Sequence, residues 1–255
     1  MDVNPAELGH NRDVDVPIAG DARAVLEQLT AEGRGKLDPK RYGNWTGRLR
    51  VIDAEKGAES DKAMSSDKLP IHPLRLCKEV RDFMRRDTIL VVDGQEILNF
   101  GRQAIPTYTP GHRLNSGAFG TMGVGLPYGV GAKVAKPDTQ VLVLHGDGSF
   151  GINAMDIDTA VRHKINVVCV ISNNGGWTAD AEWSRPLPKP GRNLGFTRYD
   201  RLAMDLGAHG EHVEKPNDIR PALERAFAAG KPAVVNVITD HTARAQTVRF
   251  SAYST

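Results

Sequence analysis

The sequence is poor in cysteine, in aromatic residues and in net charge. Its 255 residues include two cysteines and 6% aromatic residues, and the formal net charge is +2. Cys77 and Cys169 lie far apart in the chain, which excludes a disulfide framework and a zinc-ligand pattern and predicts a reduced, cytoplasmic protein. Because 33 basic residues nearly balance 31 acidic ones, the composition does not favour nucleic-acid binding.

Long hydrophobic runs are also missing. No apolar stretch approaches the length of a membrane span, and the first ten residues, MDVNPAELGH, lack the apolar core of a signal peptide. With 40% hydrophobic residues, the chain is nevertheless long enough to bury a substantial core. We therefore expect a globular protein that binds neither a membrane nor a nucleic acid.

Short apolar runs alternate with helical patterns over most of the chain, which predicts an α/β fold with a parallel sheet covered by helices on both faces. The predicted strands are 88–92, 140–144, 166–172 and 233–238. The predicted helices run from Pro73 to about Met84 and over 117–136, 153–162, 199–206 and 219–229. Ser149 and Phe150 are expected to begin another helix after the second of these strands.

The chain divides into four parts on composition. Residues 1–30 predict short strands and a helix capped by Asp21, too little for a core of their own, and favour the tail of a middle domain over a simple N-terminal extension. Residues 31–68 predict a linker and an exposed helix, and 69–240 the α/β domain. Residues 241–255 form a basic C-terminal tail, interpreted as a lid or as a disordered terminus.

Two predicted strand ends carry residues suited to chemistry. One reads HGDGSF over 145–150 and the other SNNGGW over 172–177, and a single crossover makes them neighbours at one edge of the sheet. A carboxylate, a side-chain amide oxygen and a backbone carbonyl are hard ligands that suit Mg²⁺, which leaves its other positions to water and phosphate oxygens. Taken singly, each segment is also typical of an ordinary turn, but together they predict a metal–diphosphate site.

The GDG and NN pair resembles the signature of thiamine diphosphate enzymes, in particular their pyrophosphate-binding domain. The resemblance implies that Mg²⁺ is bound by Asp147, the Asn174 side chain and the Gly176 carbonyl. It also implies that the cofactor's diphosphate lies beside the segment that follows the first strand end, namely Gly146, Gly148, Ser149 and Phe150.

Two further stretches are similar to the same family. In GAFGTMGVGLP, over 117–127, the resemblance implies that the Gly120 carbonyl accepts from the aminopyrimidine and that Met122 bends the cofactor, although core packing is the usual role of a methionine. In VDGQE, over 92–96, it places Gly94, Gln95 and Glu96 near the diphosphate. Residues 1–26 resemble the end of the family's middle domain.

The family's catalytic glutamate belongs to a pyrimidine-binding domain, which this sequence lacks. Neither Glu96 nor Glu182 matches its position. The resemblance therefore implies a partner, either a separate chain or a preceding segment, that carries the pyrimidine domain, and a homo- or hetero-oligomer. We expect no turnover from the isolated chain.

Within the family, Asn-Gly-Gly-Trp over 174–177 is closer to the 2-hydroxyacyl-CoA lyase and oxalyl-CoA decarboxylase branch. Trp177 is then a candidate catalytic residue, or a side chain that packs on another subunit. An acyl-CoA substrate is implied, with Arg244 and Arg249 of the tail as candidate ligands of its phosphates. An acetolactate synthase or benzaldehyde lyase type of enzyme and a non-catalytic regulatory subunit remain as alternatives.

Overall fold

The computed structural model describes residues 1–10, 12–177 and 191–245. The chain forms two compact units, Met1–Lys56 and Gly57–Thr255. The boundary falls inside a long helix, so each unit is described by itself.

The first unit consists mainly of helices. Helix α1 spans Ala22–Gly33, and α2 begins at Gly43 and continues across the boundary to Met64. The Asp21 carboxylate accepts a hydrogen bond from the Ala24 amide at 2.9 Å, which confirms the predicted helix cap. The two short strands expected before it reduce to one parallel bridge between Asp2 and Ala19. None of the described side chains of residues 1–56 is buried.

The second unit is built on a six-stranded sheet in the order β2-β1-β3-β4-β6-β5. Every pairing is parallel. The strands are β1 (Ile89–Asp93), β2 (Arg113–Leu114), β3 (Val141–Gly146), β4 (Val168–Asn173), β5 (His209–Val213) and β6 (Ala233–Ile238).

Seven helices of the described chain cover this sheet on its two faces. They are α3 (Pro73–Phe83), α4 (Glu96–Ala104), α5 (Gly125–Ala135), α6 (Asp147–Ile152), α7 (Asp156–Arg162), α8 (Tyr199–Asp205) and α9 (Ile219–Ala228). Alternate residues of each central strand enter opposite cores: Leu142 packs with the side of α3, α4 and α9, and Val143 with that of α5 to α8. The predicted fold class, a parallel sheet with helices on both faces, is confirmed.

The structure corrects several element boundaries. Residues 117–136 are not one helical segment, because Gly120 and Gly123 have positive φ angles that interrupt it, and α5 starts only at Gly125. Helix α6 begins at Asp147, earlier than the expected start at Ser149 and Phe150. The sequence interpretation also missed α4, β2 and β5. Among the described residues, no helix is long and apolar enough to cross a membrane.

Candidate functional site: a metal and diphosphate pocket

The candidate site lies where the chain reverses direction across the sheet. From β1 the chain moves outward to β2, and it then returns past β1 to β3, so a crevice opens beyond the carboxyl ends of β1 and β3. A pocket occupies this crevice and extends over the end of β4. Its wall is formed by Pro73, Gly94, Gln95, Glu96, Ile97, Phe100, Met122, Gly146, Asp147, Gly148, Ser149, Ser172, Asn174, Gly176, Trp177, Asp240 and Ala243.

Asp147 is the buried carboxylate of the pocket. Its residue is only 3% exposed, and its Oδ1 atom accepts from the Gly148 amide at 2.9 Å. The Oδ2 atom is buried and has no hydrogen-bond partner within the described part of the chain. Burial raises the pKa of Asp147 to about 6, against the opposing effect of backbone amides. An unpaired buried carboxylate oxygen is costly, and a cation at this position would remove that cost.

The Asn174 amide completes a cluster of three polar groups. One of its terminal atoms lies 2.9 Å from the Gly176 carbonyl oxygen and 3.2 Å from Asp147 Oδ1. If that atom is the amide nitrogen, it donates to both oxygens; if it is the amide oxygen, three acceptors converge. Neighbouring ligands of an octahedral Mg²⁺ lie about 3 Å apart, since each lies about 2.1 Å from the ion. The three groups named by the sequence are therefore together, at separations that suit this ion.

Trp177 forms the wall of the pocket beside Gly148. A Cβ atom on Gly148 would lie 2.9 Å from the indole ring, so only glycine fits under the tryptophan. The Trp177 amide donates to the Arg192 carbonyl at 2.9 Å, and Gly176 forms an antiparallel bridge with Asn193. These contacts fix the backbone that carries the half-buried indole beside Gly148.

The segment after β1 forms the opposite wall. Gly94, Gln95 and Glu96 all line the pocket, and Gly94 has φ +118°, a conformation that favours glycine. A Cβ on Gly94 would lie 3.2 Å from the Gly146 amide, so the two glycine segments approach each other closely. The Glu96 carboxylate accepts from the Ala245 amide at 3.1 Å, which ties the C-terminal segment to this wall.

The predicted residues at the start of α6 occupy different environments. The Ser149 hydroxyl lines the pocket and donates to the carbonyl oxygens of Asp93 and Gly146, at 3.0 and 3.1 Å. The Phe150 side chain points away, because it is buried in edge-on contact with the rings of His145 and Tyr199. Phe150 is therefore not part of the pocket wall.

The loop before α5 brings Met122 to the pocket and leaves Gly120 outside its wall. Met122 is 36% exposed. Gly120 is exposed, with φ +63°. Met122 is thus not a core residue, which was the alternative interpretation.

Sequence reasoning missed Asp93 and Asn153, which hold this loop in place. Asp93 Oδ2 accepts from the amides of Gly123 and Gly125, at 2.9 and 2.8 Å, and Asn153 Nδ2 donates to the Gly123 carbonyl at 2.6 Å. The signal for Asp93 was its place at the end of a buried strand, directly before the glycine that was singled out. Asn153 follows α6 and carried no such signal.

The tail residues proposed to bind coenzyme A are only partly described. Arg244 is exposed, and its guanidinium donates to the carbonyls of His241 and Ala243, at 2.8 and 2.9 Å. Arg249 and Glu182 lie outside the described residues. Ala243 lines the pocket, so the segment after β6 does pass over the site.

Comparisons with known proteins identify the family to which this chain belongs. Residues 98–237 match the model of the thiamine pyrophosphate enzyme C-terminal TPP binding domain. A probable acetolactate synthase of Mycobacterium bovis is 39% identical over 93% of this chain and 43% of its own length. The 2-hydroxyacyl-CoA lyase of Arabidopsis thaliana is 33% identical over 98% of this chain and 46% of its own length.

Two further likenesses agree with these. The oxalyl-CoA decarboxylase of Escherichia coli K12 is 30% identical over 95% of this chain and 44% of its own length. The solved structure of a thiamine diphosphate-dependent 4-hydroxybenzoylformate decarboxylase from Rhodococcus jostii superposes with a TM-score of 0.64 at 31% identity, covering 69% of this chain and 34% of that one. The chain spans less than half the length of these curated relatives. It belongs to the thiamine pyrophosphate enzyme family and carries that family's C-terminal cofactor-binding domain.

Proposed function

We propose that this chain is the diphosphate- and Mg²⁺-binding half of a thiamine diphosphate-dependent enzyme that cleaves or forms carbon–carbon bonds. The observation that carries the proposal is the convergence of Asp147, Asn174 and the Gly176 carbonyl beside a glycine-lined pocket. The buried, unpaired Asp147 Oδ2 supports a cation at this position. The family match supports the identity of the cofactor.

In this proposal each wall of the pocket has one task. Asp147, Asn174 and Gly176 hold Mg²⁺, which neutralises the diphosphate. The backbones of Gly94, Gly146 and Gly148 allow the diphosphate to approach closely. Met122 and Trp177 exclude water from the cofactor's organic part. The bound cofactor supplies an electron sink for the carbanion formed at the broken bond.

The proposal includes a partner that supplies the pyrimidine-binding domain and its glutamate. Its support is that the chain covers only 43–46% of the three curated relatives reported above. Assembly of the full site between two domains implies an oligomer. A cytoplasmic location remains our prediction, because the cysteines Cys77 and Cys169 are buried and unpaired. The described residues of this chain, without the partner, are expected to bind the cofactor and not to turn over substrate.

For the substrate we propose a 2-hydroxyacyl-CoA or oxalyl-CoA, as in the branch that the 174–177 segment resembles. The 39% identity to a probable acetolactate synthase favours a second candidate, a synthase acting on substrates without coenzyme A. The benzaldehyde lyase type and the non-catalytic regulatory subunit are further alternatives. Because all of these candidates keep the same diphosphate pocket, including the regulatory subunit that turns nothing over, the substrate has to be decided by assay.

The first experiment measures cofactor binding by isothermal titration calorimetry with and without Mg²⁺. We expect thiamine diphosphate to bind only with Mg²⁺, and Asp147→Asn to weaken binding at least ~100-fold, since it removes the charged ligand. Asp158→Asn is the matched control, because Asp158 lies on α7 and forms only a surface ion pair with Arg162. Mg²⁺-independent binding, or an unchanged affinity in Asp147→Asn, would contradict the proposed site.

The second experiment decides between the substrate classes. Acyl-CoA thioesters and free 2-keto acids are assayed with the chain alone and with the chain plus its pyrimidine-domain partner. We expect turnover only with the partner, and with the thioesters. Turnover of keto acids alone would establish the synthase alternative, and no turnover of either class would favour the regulatory subunit.

A further inference from the structure

We propose that Asp93 and Asn153 are positioning residues that fix the backbone on the C-terminal side of Met122, so that this side chain is held at the cofactor. The inference rests on the proposed function, because Met122 has a ligand to contact only if the pocket binds thiamine diphosphate. It concerns two residues that do not themselves line the pocket wall.

The Asp93 carboxylate holds the loop before α5 in place through two hydrogen bonds. A single oxygen, Oδ2, accepts from the amides of both Gly123 and Gly125. Asp93 is 3% exposed and is the last residue of β1, paired in register with His145 of β3. This carboxylate is therefore anchored at the carboxyl end of an interior strand of the sheet. A carboxylate that accepts amide hydrogen bonds holds them more strongly than a neutral acceptor.

Asn153 holds the same loop from the other side. Its Nδ2 atom donates to the Gly123 carbonyl at 2.6 Å. Gly123 thus has both its amide and its carbonyl fixed by side chains from β1 and from the segment after α6. Met122 precedes this clamped residue directly, so its Cα position is set by the clamp.

Steric contacts leave this part of the loop little freedom to relax. A Cβ on Gly123 would lie 2.6 Å from Ile152 Cγ2, and one on Gly125 would lie 2.4 Å from His145 Cε1. The His145 side chain is buried, and its ring packs against Gly125. The loop is pressed against the sheet on one side while Met122 remains partly exposed on the other.

A methionine needs such support if it is to shape a ligand. Its side chain has three rotatable bonds and adapts to its surroundings, so precision has to come from the backbone. The clamp supplies that precision before any ligand binds. We therefore expect the two residues to affect contacts with the thiamine part of the cofactor and not with its diphosphate.

The test compares Asn153→Ala and Asp93→Asn with Gln140→Ala in the full chain. Gln140 is the matched control, because its side-chain amide also holds a loop backbone, the Arg85 amide at 3.0 Å, at the opposite end of the sheet. Hydrogen exchange of the 117–127 segment is measured without ligand. Calorimetry then compares the affinity for thiamine diphosphate with that for inorganic pyrophosphate, both with Mg²⁺.

We expect both clamp variants to exchange faster over 117–127 and Gln140→Ala to be unchanged there. The preference for thiamine diphosphate over pyrophosphate should fall about three- to tenfold, the worth of one hydrogen bond, while pyrophosphate affinity stays constant. Asn153→Ala removes a half-buried side chain and serves as the second variant if Asp93→Asn folds poorly.

Other outcomes overturn the inference in distinguishable ways. Equal losses for both ligands would show a general structural role, and an unchanged preference would show that the clamp does not act on the cofactor. If the wild type binds pyrophosphate but shows no preference for thiamine diphosphate, Met122 has no thiamine contact and the inference fails alone. If the wild type binds neither ligand, the proposed function fails with it.

Discussion

The two units of the chain differ in how their apolar residues are placed. In the first unit the apolar side chains of both helices remain in solvent, with Leu26 54%, Trp45 62% and Leu49 45% exposed. In the second unit the four interior strands β1, β3, β4 and β6 are almost completely buried, and Leu142 and Val143 of β3 are 0% exposed. Among the described residues, a buried hydrophobic core is therefore present in the second unit and not in the first.

The difference shows which part of the chain is stabilised by a hydrophobic core and which part depends on local contacts. The helices of the first unit depend on local devices, such as the Asp21 cap and the exposed Arg23–Glu27 pair one helical turn apart. Short isolated helices with such support are marginal in water. The candidate site lies wholly in the second unit, on strand ends fixed by the core, and this rigidity is what lets three oxygen groups stay close together.

The largest expected difference between the two units is in the free energy of unfolding when one leucine in each unit is truncated to alanine. Leu142→Ala should lower the free energy of unfolding by about 2–5 kcal/mol, because it leaves a cavity in the centre of the sheet. Leu49→Ala should change it by less than about 0.5 kcal/mol, because the side chain is already half in solvent. Urea unfolding monitored by circular dichroism measures both.

A loss above about 1 kcal/mol for Leu49→Ala would contradict the comparison. It would mean that the exposed stripe of α2, formed by Trp45, Leu49 and Ile52, is buried in solution. Repeating the measurement over a tenfold range of protein concentration would then show whether a second copy of the chain covers it.

Much of the fold could be predicted from the sequence, because the central strands are continuous apolar runs. The run 233–238 has the same bounds as β6, and Pro73 marks the first residue of α3, where its missing amide costs nothing. Strand β5 was missed because it reads His-Gly-Glu-His-Val, an edge strand whose side chains are mostly half-exposed and polar. Local pattern cannot identify a strand whose pairing comes from its neighbour.

The candidate site could be predicted from the sequence where a polar residue suited to bind a metal directly follows a buried strand. Asp147 directly follows β3, and Asn174 directly follows β4. Because these two strands pair side by side, the two residues lie close together, as expected. The clamp could not be predicted in the same way, because Asn153 reaches Gly123 across thirty positions of the chain. This contact depends on the position of α6, because Asn153 directly follows that helix. The sequence interpretation placed the start of α6 too late and therefore did not indicate where the helix ends.

A smaller effect is expected at the cap of α1. Asp21→Ala removes the acceptor for the Ala24 amide and should cost about 1 kcal/mol of local helix stability. Hydrogen exchange should rise over 22–33 while cofactor affinity stays that of the wild type. Asp21→Asn keeps an acceptor and should restore the protection. A loss of cofactor affinity in Asp21→Ala would contradict the separation of the two units.

The smallest effect concerns a buried ion pair of the second unit and its response to pH. Asp200 is 2% exposed and receives two hydrogen bonds from the Arg198 guanidinium, at 2.8 and 2.6 Å. Burial acts to raise the pKa of Asp200, but these hydrogen bonds and the charge of Arg198 outweigh it, and the net pKa is lowered. Stability from this pair is therefore present above the unfolded pKa of about 3.9 and is lost as the pH falls through the folded value.

Asp200→Asn should accordingly lower the urea midpoint of unfolding at pH 6. The loss in the free energy of unfolding should be less than about 1 kcal/mol, because Arg198 is partly exposed. The difference from the wild type should begin to shrink as the pH falls below the unfolded pKa of about 3.9, and it should vanish once the pH has passed the lower folded value. Glu27→Gln, in the exposed pair of the first unit, should change the midpoint at neither pH. A difference for Asp200→Asn that persists at low pH would show that the side chain contributes by packing and not by charge. Since both substitutions replace a carboxylate by its amide, the comparison isolates what Glu27 lacks, namely the burial of Asp200 and its further contacts with Asn236 and His212.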